Sequence, residues 1–307
     1  MKLGINIPQV GEAAGGEAMV KVARHAESLG FETVWVTERV LWPLKPRTPY
    51  GATPDGSLPE GYKIVFDPIE ALTWVAAQTS RIRLGTSVLD IPFYNPVMLA
   101  RRLTALDVLS NGRLTLGLGL GWSEDEYEAT GAATKAKGKR ADEFLEVLHA
   151  VWKDDPVEYH GQYYNVAKSV VNPKPVQKPH PPVYLAAFSP GAFSRVARLA
   201  DGWNPVGMPV DAMRGMWEGI KAMAKQAGRN PDEMSMIVRC NLYLLDEPAP
   251  AEGRWMFTGS RDQIREDIRA VSELQPREIF FDPTFSPGVK SADDFIRVME
   301  QMRELAG

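Results

Sequence analysis

The sequence has little of what several common classes of protein require. Its 307 residues include a single cysteine, Cys240, so no disulfide can form within the chain. Only four histidines are present, and no two of them have the spacing of a metal-binding pair. The sequence therefore predicts no metal site, and it disfavours a catalytic triad built on histidine.

Neither sign of charge dominates, and no long apolar run occurs. Lys and Arg number 35 against 39 Asp and Glu, a formal net charge of −4, so we expect no nucleic acid and no anionic membrane as a partner. The longest mostly apolar run, around Leu114 to Trp122, is far shorter than the roughly 20 residues that span a bilayer. The first residues, MKLGINIP, do not resemble a signal peptide. These observations predict a cytoplasmic protein.

Motifs for hydrolysis and for nucleotide binding are also missing or weak. The chain contains neither GxSxG nor GxxxxGK[ST], so hydrolase and NTPase functions have no support. The run GLGLG, Gly117 to Gly121, has the spacing GxGxG instead of the dinucleotide-binding GxGxxG. Glycine at this point equally allows the close approach of neighbouring backbone.

Segments with the pattern of strands alternate with amphipathic helical segments along the whole chain. Most helical segments begin near a proline or a polar cap and end at Gly or Ser. The predicted strands are LGINIP, TVWV, IRLGTSVL, RLTLGLG, PVYLAA, GWNPV, MSMIVRCNLYLL and EIFFD. Eight such units in this length predict an α/β protein with one domain, residues 1–307, folded as a closed (β/α)8 TIM barrel.

Two segments are longer than the connections of a barrel require. Residues 37–67 follow the second strand and are rich in proline, which is typical of a lid or a binding loop. Residues 156–182 contain a predicted hairpin, VEYHGQYYNV, followed by an extended passage, NPKPVQKPHPP. This second segment is an insertion that either covers the barrel or contacts a cofactor.

In such a barrel the active site lies at the C-terminal ends of the strands. Asn6 there either donates to a ring carbonyl or caps a turn. Glu38 and Arg39 are either a proton donor and an anion holder or an ion pair beside the lid. Trp42 and Trp122 lie in predicted mouth loops, where they either contact a planar ligand or pack in the core. The residues selected by position are Asn6, Thr37 to Arg39, Ser87 to Asp90, Gly119 to Asp125, Ala187 to Ser189, Val206 to Met208, and Asp282.

Several long stretches together resemble the luciferase-like monooxygenase superfamily, and in particular its branch of coenzyme F420-dependent oxidoreductases. They span Lys2 to about Trp203 in the order of the family. The stretches are LGINIP, AESLGFETVWVTE, RIRLGTSVL, YNPVMLARRLTALDVLSNGRLTLGLGLGW, EDEYEATG, KRADEFLEVLHAVW and PKPVQKPHPPVYLAAFSPGAFSRVARLADGW.

The resemblance implies a barrel that binds a flavin or deazaflavin at its C-terminal mouth. It places a cis peptide at Ser87-Val88, whose bulge would press on the middle ring and leave the other face to the substrate. It places Ala186 to Ser189 near the ribityl chain and phosphate, with Val206 and Gly207 closing the pocket. The cofactor-binding residues that we predict are Asn6, Thr37, Ser87, Val88, Gly119, Asp125, Ala186, Ala187, Phe188, Ser189, Val206 and Gly207.

The chain also departs from the family. Members that use sugar phosphates place a histidine after the second strand and a glutamate after the fourth, where this chain has Arg39 and Trp122. Oxidation of a sugar phosphate is therefore disfavoured. AAFS replaces the frequent GGTS, which adds the bulk of Phe188 near the phosphate.

The resemblance leads to the prediction of an F420-dependent oxidoreductase that moves a hydride between the deazaflavin C5 and a small organic substrate. Glu38 is the predicted proton donor, and Arg39 is the predicted holder of an anion. Some basic residues are possible partners of the acidic cofactor tail, although a solvated basic face explains them equally well. These residues are Lys45, Arg47, Lys135, Lys137, Lys139 and Arg140.

Two alternatives remain open at this stage. An FMN-dependent two-component monooxygenase on the same barrel would need a separate flavin reductase and a dry pocket, which the segment 37–67 would close. A barrel that binds a flavin or deazaflavin without catalysis is the third possibility. The resemblance also implies a homodimer.

Overall fold

The computed structural model describes residues 1–53 and 55–307. Its strands are β1 (Lys2–Asn6), β2 (Thr33–Val36), β3 (Arg83–Asp90), β4 (Leu114–Gly119), β5 (Val157–His160), β6 (Asn165–Ser169), β7 (Val183–Leu185), β8 (Gly202–Trp203), β9 (Ser235–Asn241), β10 (Tyr243–Leu244), β11 (Thr258–Gly259) and β12 (Glu278–Asp282). Its helices are α1 (Gly16–Ser28), α2 (Pro68–Ala76), α3 (Pro96–Leu109), α4 (Glu124–Ala129), α5 (Lys137–Lys153), α6 (Pro190–Leu199), α7 (Val210–Gln226), α8 (Arg261–Ser272) and α9 (Ala292–Leu305).

Parallel strands close into a barrel in the order β1-β12-β9-β8-β7-β4-β3-β2. The last barrel strand pairs with the first, Lys2 opposite Glu278, so the sheet has no free edge. The predicted (β/α)8 barrel is therefore confirmed, and each of its eight strands corresponds to one of the predicted strands. The C-terminal ends of these strands meet at one mouth.

Local sequence signals fix where the helices begin. Prolines occupy the first turns of α2 and α3, and the side chains of Asp67 and Asn95 accept hydrogen bonds from the first free N–H groups. Ser260 and Gln263 form a capping box at the start of α8. The sequence predicts helices from Pro96 to Leu109 and from Ala292 to Leu305, and α3 and α9 have these bounds because caps and breakers flank both helices.

Three local features differ from the sequence-based prediction. The helix α4 was not predicted, because six residues are too few to show a helical period. The predicted seventh strand continued to Leu245, whereas β9 ends at Asn241 and a separate parallel pair, β10 and β11, follows. The N–H of Leu242 still bonds to the carbonyl of Asp282 in β12, whereas the next N–H, of Tyr243, bonds to the carbonyl of Phe257 outside the barrel.

Large side chains fill the end of the barrel opposite the mouth, which we call the barrel floor and define by Trp35, Tyr184, Ile237, Phe280 and Glu278. The Trp35 and Phe280 rings stack with centroids 4.4 Å apart. The strands on either side of Trp35 carry glycine next to its indole ring, because a Cβ there would collide with the ring. The interior is a packed core at this end.

The two long segments follow β2 and α5. The segment 37–67 contributes Tyr50 and Tyr62 to an aromatic group over the mouth that also contains Trp122. The segment 156–182 begins with the antiparallel hairpin of β5 and β6, which confirms the predicted hairpin. Within the described ranges, no helix has both the length and the apolar character needed to cross a membrane.

Candidate active site at the mouth of the barrel

A cavity opens at the C-terminal ends of the strands, and we call it the mouth cavity. It has two adjoining parts of about 420 and 480 Å³. Residues from six strand ends and from the segment 37–67 surround it. Both parts are lined by Tyr50, Val88, Trp122, Ala186, Phe188 and Arg239. Volumes of this size suit a small-molecule or cofactor site.

A bulge in β3 forms one wall of the mouth cavity. The Ser87-Val88 peptide is cis, as the resemblance implies, and the pairing of β3 with β4 shifts between Thr86 and Leu89. The Val88 side chain lines both parts of the cavity. A Cβ at Gly119 would lie 2.6 Å from Val88 Cγ2, so the bulge needs glycine on the neighbouring strand.

Polar side chains fix this bulge from the far side of the barrel. Ser87 Oγ donates to Asn204 Oδ1 at 2.8 Å, and Asn204 Nδ2 donates to the carbonyl of Ile237 at 2.9 Å. Arg239 Nη1 donates to the carbonyl of Ser87 at 2.6 Å. Asn204 holds the Ser87 side chain and Arg239 holds the Ser87 carbonyl, and both residues make further hydrogen bonds, so the position of the Ser87-Val88 peptide is fixed.

Glu38 and Asp90 place two buried carboxyl groups at the edge of the mouth cavity. Glu38 Oε2 accepts from the Asp90 N–H at 2.6 Å, and Glu38 Oε1 accepts from the Tyr94 hydroxyl. Burial and the nearby Asp90 charge raise the pKa of Glu38 to about 8, against the smaller opposing effect of these hydrogen bonds. Burial raises the pKa of Asp90 to about 7, although Arg39 favours its charged form. Both groups therefore exchange protons near neutral pH.

Arg39 is enclosed by acidic and aromatic groups. Its Nη1 lies 3.0 Å from Glu126 Oε2, and its Nη2 lies 3.8 Å from Asp90 Oδ2. The guanidinium carbon lies 5.0 Å from the centre of the Trp122 ring and 5.8 Å from that of Tyr62. Arg39 therefore joins the segment 37–67 to the ends of β3 and β4, and its charge is already balanced by carboxylates.

The first turn of α6 forms the opposite wall. Ser189 and Ala192 line the mouth cavity, and the Ser189 side chain makes no capping hydrogen bond. A Cβ at Gly191 would meet nothing within 4 Å, so the space in front of this turn is open. Free N–H groups at a helix start attract phosphate, and the local chemistry therefore suits the phosphate of a cofactor.

Most residues predicted from the sequence come together here. Those that line the mouth cavity are Thr37, Glu38, Arg39, Ser87, Val88, Gly119, Ala186, Ala187, Phe188, Ser189 and Val206. Asn6, Asp125 and Gly207 lie outside this lining. Asn6 is buried and its Oδ1 has no partner among the described residues, Asp125 binds Arg47 at 2.8 Å, and Gly207 packs against Phe257.

Sequence reasoning missed several residues of the site. Arg239 was predicted as the interior of a strand, yet its Nη2 bonds to Asp282 and its Nε donates to Asn241 Oδ1 at 3.0 Å. A charged residue within a buried strand was the available signal. Of the two predicted tryptophans, Trp122 lines the cavity, whereas Trp42 donates to the carbonyls of Leu58 and Pro59.

Comparisons with known proteins agree with this architecture. An uncharacterized protein of Mycobacterium tuberculosis (strain ATCC 25618 / H37Rv) is 37% identical over 263 residues, 82% of this chain and 90% of that protein. The F420-dependent glucose-6-phosphate dehydrogenase of Kineococcus radiotolerans is 30% identical over 238 residues, 75% of this chain and 64% of that protein.

A solved structure has the same fold. The crystal structure of monooxygenase RslO1 from Streptomyces bottropensis has a TM-score of 0.78 at 24% identity, covering 99% of this chain and 98% of that one. Residues 1–286 match the family described as luciferase-like monooxygenase. The chain therefore belongs to the luciferase-like monooxygenase family.

Proposed function

We propose that this protein is an F420-dependent oxidoreductase that transfers a hydride between the deazaflavin and a small, uncharged organic substrate. The observation that carries the proposal is the mouth cavity, which joins a backbone bulge, the open start of a helix and a buried acid with a pKa near neutrality. The similarity to an F420-dependent glucose-6-phosphate dehydrogenase supports the choice of cofactor.

The residues present fit a deazaflavin phosphate. Val88 offers an apolar contact for a planar ring, and Gly119 permits it by leaving room behind the bulge. Ser189 and the free N–H groups of the first turn of α6 would bind the phosphate. The deazaflavin, when bound, carries the hydride at C5 and reacts poorly with oxygen.

Glu38 is the proton-exchanging group that we propose. A carboxyl with a pKa of about 8 holds its proton at pH 7 and can give it to a substrate atom or accept it back. The Asp90 N–H and the Tyr94 hydroxyl fix both oxygens, so the group is oriented before a substrate arrives. Arg39 is a positioning residue in this proposal, because its ion pairs hold Asp90 and Glu126 in place.

The charges around the mouth cavity support an uncharged substrate. Arg39 and Arg239 are its basic lining residues in the described part of the chain, and both are bound to carboxylates. A substrate phosphate would therefore meet no cation that lacks a carboxylate partner. The remaining wall is aromatic, with Tyr50, Tyr62 and Trp122 beside the acid. Small alcohols or carbonyl compounds match this lining better than a sugar phosphate does.

The test is equilibrium binding of F420 and of FMN to the purified protein, followed by quenching of each cofactor's fluorescence. We expect micromolar or tighter binding of F420, with FMN at least tenfold weaker, a difference of about 1.4 kcal/mol. Tighter binding of FMN would overturn the choice of cofactor. Binding of neither would overturn the proposed function.

The alternative is an FMN-dependent monooxygenase. The specific observation in its favour is the aromatic cover of the mouth, where the Tyr50 and Trp122 rings lie 5.4 Å apart and can exclude water. An FMN-dependent monooxygenase would require a separate flavin reductase.

The reductase and the homodimer remain predictions, and sedimentation of the purified protein tests the homodimer. A barrel that binds its cofactor without turnover would show tight F420 binding and no hydride transfer to any acceptor.

A further inference from the structure

A second pocket of about 370 Å³ adjoins the mouth cavity, and we call it the basic pocket. It lies between the turn after β3, the turn before α5 and the hairpin of β5 and β6. Its walls are apolar, aromatic and basic, and they include no Asp or Glu among the described residues. The lining comprises Ile91 to Asn95, Thr130 to Ala133, Lys137, Arg140, Ala141, Phe144 and Tyr164.

Two cations in the basic pocket lack a carboxylate partner. Lys137 Nζ lies 3.6 Å from the centre of the Tyr127 ring, and the Arg140 guanidinium carbon lies 4.4 Å from that of Tyr163. Neither forms an ion pair with any residue that the structure describes. The Arg140 Nε is buried and has no acceptor within those same residues. A buried guanidinium N–H without an acceptor points to an anionic ligand.

The basic pocket lies next to the proposed phosphate site. A Cβ at Gly121, which lines the mouth cavity, would lie 3.2 Å from the ring of Phe93, which lines the basic pocket. The helices α5 and α6 are joined where Arg195 donates to the Gly138 carbonyl at 2.8 Å. The helix α5 therefore packs beside α6, whose first turn lines the mouth cavity.

We propose that the basic pocket binds the carboxylates of the glutamate tail of the deazaflavin cofactor, with Lys137 and Arg140 as their partners. This inference rests on the proposed function and deepens it. The tail carries several carboxylates beyond the phosphate, and two adjacent cations among aromatic rings match that chemistry. FMN ends at its phosphate, so the basic pocket also separates the two cofactors.

The structure distinguishes among the six basic residues that the sequence offered. Arg47 is committed to Asp125 and Glu128, at 2.8 and 2.5 Å. Lys45, Lys135 and Lys139 are exposed and lie outside the lining of the basic pocket. Lys139 neighbours Arg140 in sequence and on the same helix, so it serves as a matched control.

The experiment compares F420 with the same deazaflavin phosphate ester lacking the glutamates, using fluorescence quenching with the full chain. We expect the wild type to bind the form with a tail at least tenfold more tightly. Lys137→Ala and Arg140→Ala should each remove most of that preference and leave the affinity for the tailless form unchanged. Lys139→Ala should retain the preference. Rising salt should reduce it, because the contacts are ionic.

The outcomes separate this inference from the proposed function. Equal affinity of the wild type for the two forms would overturn the inference and leave the F420 assignment intact. The same holds if both variants, folded as judged by circular dichroism, keep the preference. If neither form binds, the proposed function is wrong and this inference is wrong with it.

Discussion

Two buried glutamates lie at opposite ends of the barrel and have similar acidity. At the barrel floor, burial raises the pKa of Glu278 to about 7, while the Trp35 indole and the Thr33 hydroxyl donate to it at 2.7 and 2.9 Å. At the mouth, burial raises the pKa of Glu38 to about 8. A raised pKa therefore does not by itself identify a catalytic acid.

The difference lies in what surrounds each carboxyl group. Glu278 is enclosed by the packed rings of the floor, and a Cβ at the neighbouring Gly4 would collide with it. Glu38 faces a cavity large enough for a small molecule. A buried carboxyl group with a raised pKa thus supports packing at one end of the barrel and proton exchange at the other. The following substitutions test that contrast.

The largest effect is expected from Glu38→Gln. Removing the exchangeable proton should lower kcat by about 100-fold or more with little change in cofactor affinity, because general acid catalysis contributes about 10²- to 10⁴-fold. The matched control is Glu278→Gln, which should keep kcat within about twofold. Steady-state kinetics with reduced F420 and an acceptor would measure both. Equal losses in the two variants would contradict the contrast.

Glu278 should instead appear in the dependence of stability on pH. Its pKa is about 7 in the folded state against 4.5 when unperturbed, so the folded state binds the proton more tightly. The associated stabilisation is complete below about pH 4.5 and is lost as the pH rises through about 7, a change of up to about 3 kcal/mol. Urea unfolding between pH 5 and 8 should show this decline. Glu278→Gln should reduce the slope, and an unchanged slope would contradict the account.

A pair of glycine substitutions separates the two ends in another way. A Cβ at Gly119 would lie 2.9 Å from Asp90 Oδ1 as well as against Val88, so Gly119→Ala should weaken F420 binding by about tenfold. A Cβ at Gly85 would press on the Trp35 ring, so Gly85→Ala should cost about 1–3 kcal/mol of unfolding free energy. Binding titrations and urea unfolding of both variants would show whether the effects divide in this way.

The smallest effect is expected from Tyr94→Phe. The Tyr94 hydroxyl bond lowers the pKa of Glu38, so its loss should raise that pKa further. The alkaline limb of the kcat profile should move upward by about one pH unit, since a hydrogen bond to a charged group contributes about 1.5–3 kcal/mol. Tyr164→Phe, a tyrosine in the basic pocket that does not touch Glu38, is the control. A profile identical in all three proteins would refute the role given to Tyr94.

Part of the site could be predicted from the order of strands along the chain. Strand ends converge in a barrel, so position alone brought Glu38, Val88 and Ser189 to one cavity. Asp125 follows the fourth strand equally closely, but the unpredicted helix α4 directs it to Arg47. Arg239 was missed because it lies within a strand pattern, although its charge among buried strand residues was an available signal.

Pairing between distant residues was the other part that the sequence could not supply. Whether a lysine or arginine has a carboxylate partner depends on packing between helices and loops. The sequence offered six basic residues for the cofactor tail, and only the folded chain shows that Lys137 and Arg140 line one pocket whose described lining contains no Asp or Glu. Glu278 likewise gave no signal, since its partners Thr33 and Trp35 are about 240 positions away.

The most direct test of the central claim is a crystal structure of the protein with F420. We expect the deazaflavin ring against Val88, its phosphate at the first turn of α6, and an open space between the ring and Glu38 for a substrate. A deazaflavin ring bound away from Val88 would contradict this expectation. So would a complex in which Glu38 points away from the exposed face of the ring.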